Sequence, residues 1–145
     1  MALEDLRFVS IELAWKMYGL PYIWGGNDAV QGFDCSGMQV EILQSVGMLP
    51  EGDWSAAMLW SLFAAKEVFK PEPGCLVFWE NSQGHIRHVE MCIGDGLSIG
   101  ASGGGRHVKT RGDAILQNAF VKIRPIGGRG LVRGYLDPFK PEGEP

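Results

Sequence analysis

A chain of 145 residues, 46% of them hydrophobic, is the commonest size for one domain and long enough to bury an ordinary core without disulfides or structural metals. A formal charge of -4 leaves no excess of Lys or Arg to displace the counterions of nucleic acid or to grip an anionic lipid surface, so neither partner is expected. The three cysteines, Cys35, Cys75 and Cys92, are odd in number and widely spaced, which fits neither a disulfide framework nor a paired zinc site and points to a reduced environment with no metal or cofactor.

The first segment, Leu3 to Tyr18, repeats apolar residues at Leu6, Val9, Leu13 and Met17, the spacing of a helix with one buried face. Its acids at Glu4, Asp5 and Glu12, with no basic leader before an apolar run, argue against a secretory signal. No apolar stretch approaches the roughly 20 residues of a bilayer-spanning helix, so a soluble protein is expected. Gly19 and Pro21 stop the helix, and a loop from Tyr22 to Phe33 follows. Asp34 is then placed to cap a second helix with Met38, Ile42, Leu43 and Val46 on its inner face. Asp53 or Ser55 caps a third, with Met58, Leu59, Leu62 and Phe63 at helical spacing.

From Pro71 the period changes to short β-rich runs between Gly and Asn turns. They are Cys75–Trp79, His88–Ile93, Leu97–Ala101, Arg106–Lys109, Phe120–Pro125 and Leu131–Tyr135. Helices first and strands afterwards indicate an α+β fold, with helices packed on a largely antiparallel sheet. The prolines and charges from Asp137 onward read as a loose end, with one domain over 1–139 and a flexible tail over 140–145.

A thiol is a nucleophile mainly as thiolate, a form favoured by the positive end of a helix and by a nearby imidazole. Cys35 falls in the first turn of the second helix, and His88 lies on a strand that, packed across that helix, brings an imidazole to the sulfur. Read without further context, a cysteine at a helix start is more often a small core residue, and a distant histidine adds little. Cys75 and Cys92 read as buried, inert thiols, and His85 as an exposed turn residue.

The segments around these two residues carry more. Pro21-Tyr22-Ile23-Trp24-Gly25-Gly26, Phe33-Asp34-Cys35-Ser36-Gly37, Pro73-Gly74-Cys75-Leu76-Val77-Phe78-Trp79 and His88-Val89, leading to Ile93-Gly94-Asp95-Gly96, closely resemble the NlpC/P60 family of papain-like cell-wall peptidases in order and spacing, over roughly residues 5 to 105. The resemblance implies a thiol hydrolase of peptidoglycan stem peptides, cutting between γ-linked D-glutamate and a diamino acid. It assigns Cys35 as nucleophile, His88 as general base and acid, and Tyr22 as a hydroxyl beside the thiol that shares the oxyanion with the Cys35 N–H. It puts Asp34, Ser36 and Trp24 at the substrate, with Asp34 and Ser36 towards a free amine. Tyr22 as a packed loop aromatic and Asp34 as a helix cap are the plainer alternatives.

The chain departs from the family pattern at one place. The third polar residue that orients the histidine falls on Gly100, which has no side chain. Glu90, two residues from His88 and on the same strand face, is one substitute, standing where relatives commonly have glycine. His107, Ser102, a backbone carbonyl or water are others, and Glu90 as an outward solvated charge remains open. The glycine run Ser102-Gly103-Gly104-Gly105-Arg106 lacks a phosphate-loop ending and reads as a mobile hairpin loop at the cleft rim.

The gap at Gly100 keeps a catalytically weak wall-binding module in view, and the Cys-His pair by itself also fits transfer of the acyl group to another acceptor, against which the lack of a membrane-anchoring segment weighs. The runs Phe120–Pro125 and Gly134–Phe139 also resemble phage-encoded members. Together with a start almost directly in the first helix, and with an excised domain of a larger secreted protein or a cytoplasmic murein-recycling enzyme as the alternatives, they suggest a phage or prophage product. Such a protein is made in the cytoplasm and acts on the cell wall, with phage tail proteins as partners.

Overall fold

The three expected helices form in order: α1 (Leu3–Lys16), α2 (Cys35–Ser45) and α3 (Ala56–Phe63). They belong to a computed structural model that describes residues 1–28 and 32–143. Each start follows local chemistry. The Asp34 carboxylate accepts the Gly37 N–H at 2.6 Å at the head of α2, and the Ser55 hydroxyl, rather than Asp53, accepts the Met58 N–H at the head of α3. α2 buries Met38, Val40, Ile42 and Leu43, so it is the central helix. α1 lies shallower, with only Ser10 and Ala14 fully buried, and α3 turns Leu59 and Phe63 inward while Met58 and Leu62 stay exposed.

After α3 a 3-10 turn (Ala64–Lys66) leads into β3 (Glu67–Val68), β4 (Leu76–Glu80), β5 (Ile86–Gly94), β6 (Leu97–Ser102), β7 (Phe120–Pro125) and β8 (Leu131–Leu136). They form one sheet in the order β3-β8-β4-β5-β6-β7, with every neighbouring pair antiparallel. The expected α+β architecture is therefore present. A two-residue ribbon, β1 (Asn27–Asp28) with β2 (Gly32–Phe33), precedes α2.

Alternation along the strands divides the interior. Leu76, Phe78, Val89, Met91, Ile99, Ala101 and Val121 join the core with the helices, whereas Cys75, Val77, Trp79, Cys92 and Ile126 form a second cluster. Apolar residues on both faces explain why Leu76-Val77-Phe78-Trp79 reads as a continuous run rather than an alternating one. Register then places the chemistry. Trp79 pairs with His88 and Val77 with Glu90, so His88 and Glu90 share the face of the second cluster, on a strand held by β4 and β6.

Two expectations fail. Arg106–Lys109 is not a strand but a loop that leads into an unanticipated helix, α4 (Arg111–Gln117). A capping box between Thr110 and Asp113 starts this helix, and Asn118 in the left-handed conformation ends it. It buries only Ala114 and leaves Ile115 and Leu116 exposed, so no apolar stripe announces it in the sequence. The chain after Asp137 is also not loose at its start. Arg7 Nη1 and Nη2 donate to the two Asp137 oxygens at 3.0 and 2.8 Å, and Asp137 accepts the Phe139 N–H. The Phe139 ring is fully buried beneath the Arg7 guanidinium.

This packing predicts that Phe139→Ala costs about 3 to 5 kcal/mol in denaturant unfolding. The same change at Phe69, which is 97% exposed, stays within about 0.5 kcal/mol.

Candidate active site

Cys35 opens α2, and its placement depends on a close approach of two backbones. A side chain at Gly37 would strike the Gly26 carbonyl, so glycine at this position lets the 22–26 loop lie against the first turn of the helix. Asp34 fastens the arrangement, with one carboxylate oxygen on the Gly37 N–H and the other accepting the Gly25 N–H at 3.1 Å. It is thus a cap and a loop clamp, and it also lines the cleft. Burial pushes its pKa up against the pull of these hydrogen bonds.

The cleft has a volume of about 760 Å³. Cys35, Ser36 and Asp34 lie along it with Tyr22, Trp24 and His88, so it gathers six of the seven residues that the sequence singles out. The seventh, Glu90, lies beneath it. Trp24 is 53% exposed there, while Tyr22 is buried. Burial, then the charges of Cys35 and Asp34, raise the Tyr22 pKa, which keeps the phenol a neutral O–H donor.

His88 Nε2 lies 2.7 Å from Glu90 Oε2, and the imidazole lines the cleft together with Cys35. Glu90 is not the solvated outward charge. It is 1% exposed, and both oxygens are occupied. Oε2 also accepts from Arg129 Nη2 at 2.7 Å, and Oε1 accepts from Ser98 Oγ at 2.8 Å and Arg129 Nη1 at 3.1 Å. The space at Gly100 explains the exchange. A Cβ there would collide with the Glu90 side chain, so the glycine that lacks an orienting group is also what admits the carboxylate.

Burial disfavours the His88 imidazolium, but the hydrogen bonds and charges of Cys35 and Glu90 outweigh it and raise the pKa to about 9. Burial likewise opposes the Glu90 carboxylate, yet His88 and Arg129 together draw its pKa well below the usual range. Trp79 stacks beside both partners, with its ring 5.4 Å from that of His88 and 4.6 Å from the Arg129 guanidinium.

The remaining candidates fall away from this cluster. His107 and His85 are exposed, and neither lines the cleft. Ser102 is buried in the cleft wall but accepts from Arg124 Nη2 at 2.7 Å instead of meeting His88. Cys75 and Cys92 are fully buried, and burial pushes the first up to about 12 and the second higher. The glycine run rims the cleft as expected, but it joins β6 to α4 and is not a hairpin, and Gly104 lies so close to the Tyr22 ring that a side chain would clash. Arg129 and Ser98 have no signal in the motifs. Arg129 sits among Gly127, Gly128 and Gly130 after β7, where only the fold reveals its partner.

The His88–Glu90 pair makes stability depend on pH. A histidine raised above its ordinary 6.5 adds stability that is full below about pH 6.5 and lost as pH rises through about 9. The lowered Glu90 adds stability above its ordinary 4.5 that is lost as pH falls. Glu90→Gln is therefore expected to cost about 3 kcal/mol between pH 5 and 6.5. In thermal melts the difference narrows towards pH 3 and above pH 9, without vanishing at the alkaline end because the Arg129 contact persists there.

Comparison with known proteins meets this geometry. The NlpC/P60 family model matches residues 19–125, well over half of the chain. A gamma-D-glutamyl-L-lysine dipeptidyl-peptidase from Bacillus cereus is 39% identical over 87 residues, which cover 58% of this chain and 25% of that protein. A gamma-DL-glutamyl hydrolase from Bacillus subtilis is 34% identical over 95 residues, covering 63% and 22%. The crystal structure of an NlpC/P60 family protein from Bacillus cereus superposes with a TM-score of 0.71 at 28% identity, over 97% of this chain and 41% of that one. The chain thus spans a quarter or less of the length of the curated relatives it matches. With the family's motif order at residues 19–125, its helix-borne cysteine and its strand-borne histidine, the chain belongs to the NlpC/P60 family.

Proposed function

We propose that this chain is a cysteine peptidase that hydrolyses peptidoglycan stem peptides. The observation that carries the reading is that Cys35 and His88 line one cleft, with the buried Glu90 carboxylate beneath it 2.7 Å from the imidazole. Cys35 attacks the scissile carbonyl as thiolate. The oxyanion is met by the Tyr22 hydroxyl and the Cys35 N–H, both donors that need no reorganisation during the step. As the C–N bond breaks, His88 gives its proton to the leaving amine and a thioester remains. Water then attacks the thioester while His88 takes its proton, the C–S bond breaks, and the freed acid leaves Cys35 as it began.

Glu90 keeps the imidazole in one orientation and stabilises its positive charge. Arg129 and Ser98 keep Glu90 ionised, so the proton stays on His88. The bond cut is the one between γ-linked glutamate and a diamino acid, a reading supported by the name of the gamma-D-glutamyl-L-lysine dipeptidyl-peptidase, while that of the gamma-DL-glutamyl hydrolase supports its γ-glutamyl side alone. Asp34 and Ser36 hold the amine end of the peptide, and Trp24 contacts the substrate along the cleft. The resemblance of residues 120–125 and 134–139 to phage-encoded members extends the proposal to a phage or prophage product that acts on the wall with tail proteins. Detection of the chain in purified tails by mass spectrometry tests that extension, and its absence from them removes it.

The wall-binding alternative rested on an unsupported histidine, and Glu90 now occupies the space beside Gly100. Cys35→Ala should lower kcat/KM on a γ-glutamyl-diamino acid tripeptide by on the order of 10⁴. If both forms bind the peptide and neither releases a new amine, the peptidase reading is lost.

The alkaline limb of kcat/KM should follow the loss of the His88 proton near pH 9. In Glu90→Gln that limb should shift towards the ordinary histidine range, with kcat reduced on the order of a hundredfold. An unmoved limb would remove Glu90 from the catalytic arrangement.

A further inference from the structure

Three arginines, Arg87, Arg124 and Arg129, line the same cleft as Asp34, although the whole chain carries a formal charge of -4. They are not equivalent. The charge of Arg129 is met by Glu90 at 2.7 Å, and Arg87 is exposed to water. Arg124, on β7, is half-buried, and among the described residues no carboxylate lies within 4.0 Å of it. Its Nη2 donates to Ser102 Oγ at 2.7 Å, and its Nε is buried without a hydrogen-bond partner. Burial, then repulsion from Arg129, push its pKa down, and the attraction of Glu90 does not restore it.

A half-buried guanidinium facing a like charge is costly unless an anion completes it. Its planar fork suits a carboxylate, and Ser102 already fixes its direction, so little side-chain freedom is lost when a ligand binds. The peptidase reading, on which this step rests, supplies such a ligand. A γ-glutamyl peptide differs from an ordinary one in carrying a free α-carboxylate a few bonds from the scissile carbonyl. The leaving diamino acid, when it ends the peptide, carries another.

We propose that Arg124 is a specificity-determining residue that binds a substrate carboxylate flanking the scissile bond, so that the protein discriminates carboxylate from carboxamide stem peptides. Asp34 towards an amine and Arg124 towards a carboxylate give the cleft two ends of opposite charge. A peptide carrying both groups is then oriented before Cys35 attacks.

The test compares three tripeptides: one with both carboxylates free, one amidated at the glutamyl α-carboxylate and one amidated at the diamino acid. Wild type is expected to lose on the order of ten- to a hundredfold in kcat/KM on one of the amidated peptides, which identifies the carboxylate bound. Arg124→Gln should show the same loss on the free peptide, mainly through KM, with no further loss on that amidated one. Arg124→Lys should recover part of the discrimination.

Equal wild-type rates on all three peptides would overturn the proposal without any variant. So would an Arg124→Gln variant that falls equally on every peptide, the pattern of a purely structural arginine. Should none of the three be cleaved in a Cys35-dependent way, the peptidase reading fails. The same three peptides titrated calorimetrically into Cys35→Ala, with and without Arg124→Gln, then decide the arginine on affinity alone.

Discussion

A carboxylate withdrawn from water beneath a sheet is tolerated only if every lone pair finds a partner, and Glu90 meets that condition with His88, Ser98 and two arms of Arg129. The rest of the site follows from it. The charge holds the His88 imidazolium in place, and His88 in turn faces the cleft that Cys35 lines. Arg129 prevents the opposite outcome, in which a desolvated glutamate takes the proton for itself. The carboxylate also depends on an absence, since any side chain at Gly100 would occupy its volume. Positions 90 and 100 thus act as one unit, with the polar group on one strand and the space on its neighbour.

The scaffold makes this arrangement rigid on both sides of the thiol. β5 lies between β4 and β6, and its register against Trp79 and Val77 determines which face His88 and Glu90 present. On the other side, Asp34 ties the 22–26 loop to the first turn of α2, and Gly37 allows the two backbones to touch. The loop that begins at Tyr22 is therefore held by the same carboxylate that starts α2. Asp34 serves as cap and cleft wall at once, so the two readings open in the sequence are not exclusive.

Charge is distributed against the average of the chain. An acidic protein gathers three arginines at its cleft, one to hold Glu90 and one, Arg124, held by a serine and lacking a counter-ion among the described residues. Net charge argues about long-range partners such as nucleic acid, whereas a peptide in a cleft responds to the few groups within a Debye length of it. The two scales reach different conclusions here without conflict.

By itself the sequence determined what short-range chemistry determines: the helix cap at Asp34, a third helix start within Asp53–Ser55, the apolar face of α2, the β-rich second half, and the motif segments around Cys35 and His88 that point to the family. It also offered Glu90 as a candidate orienter, because residues two apart on a strand share a face. Only the tertiary structure decided that Glu90 turns inward, since that depends on the empty volume at Gly100 and on Arg129, thirty-nine positions away in a glycine-rich turn with no periodic signal. The same holds for α4, whose few buried atoms leave no stripe to read, and for Asp137 and Phe139, whose burial follows from contact with Arg7 at the far end of the chain. Local propensity is written along the chain. The pairing of a charge with its partner is set by the sheet that brings distant strands together.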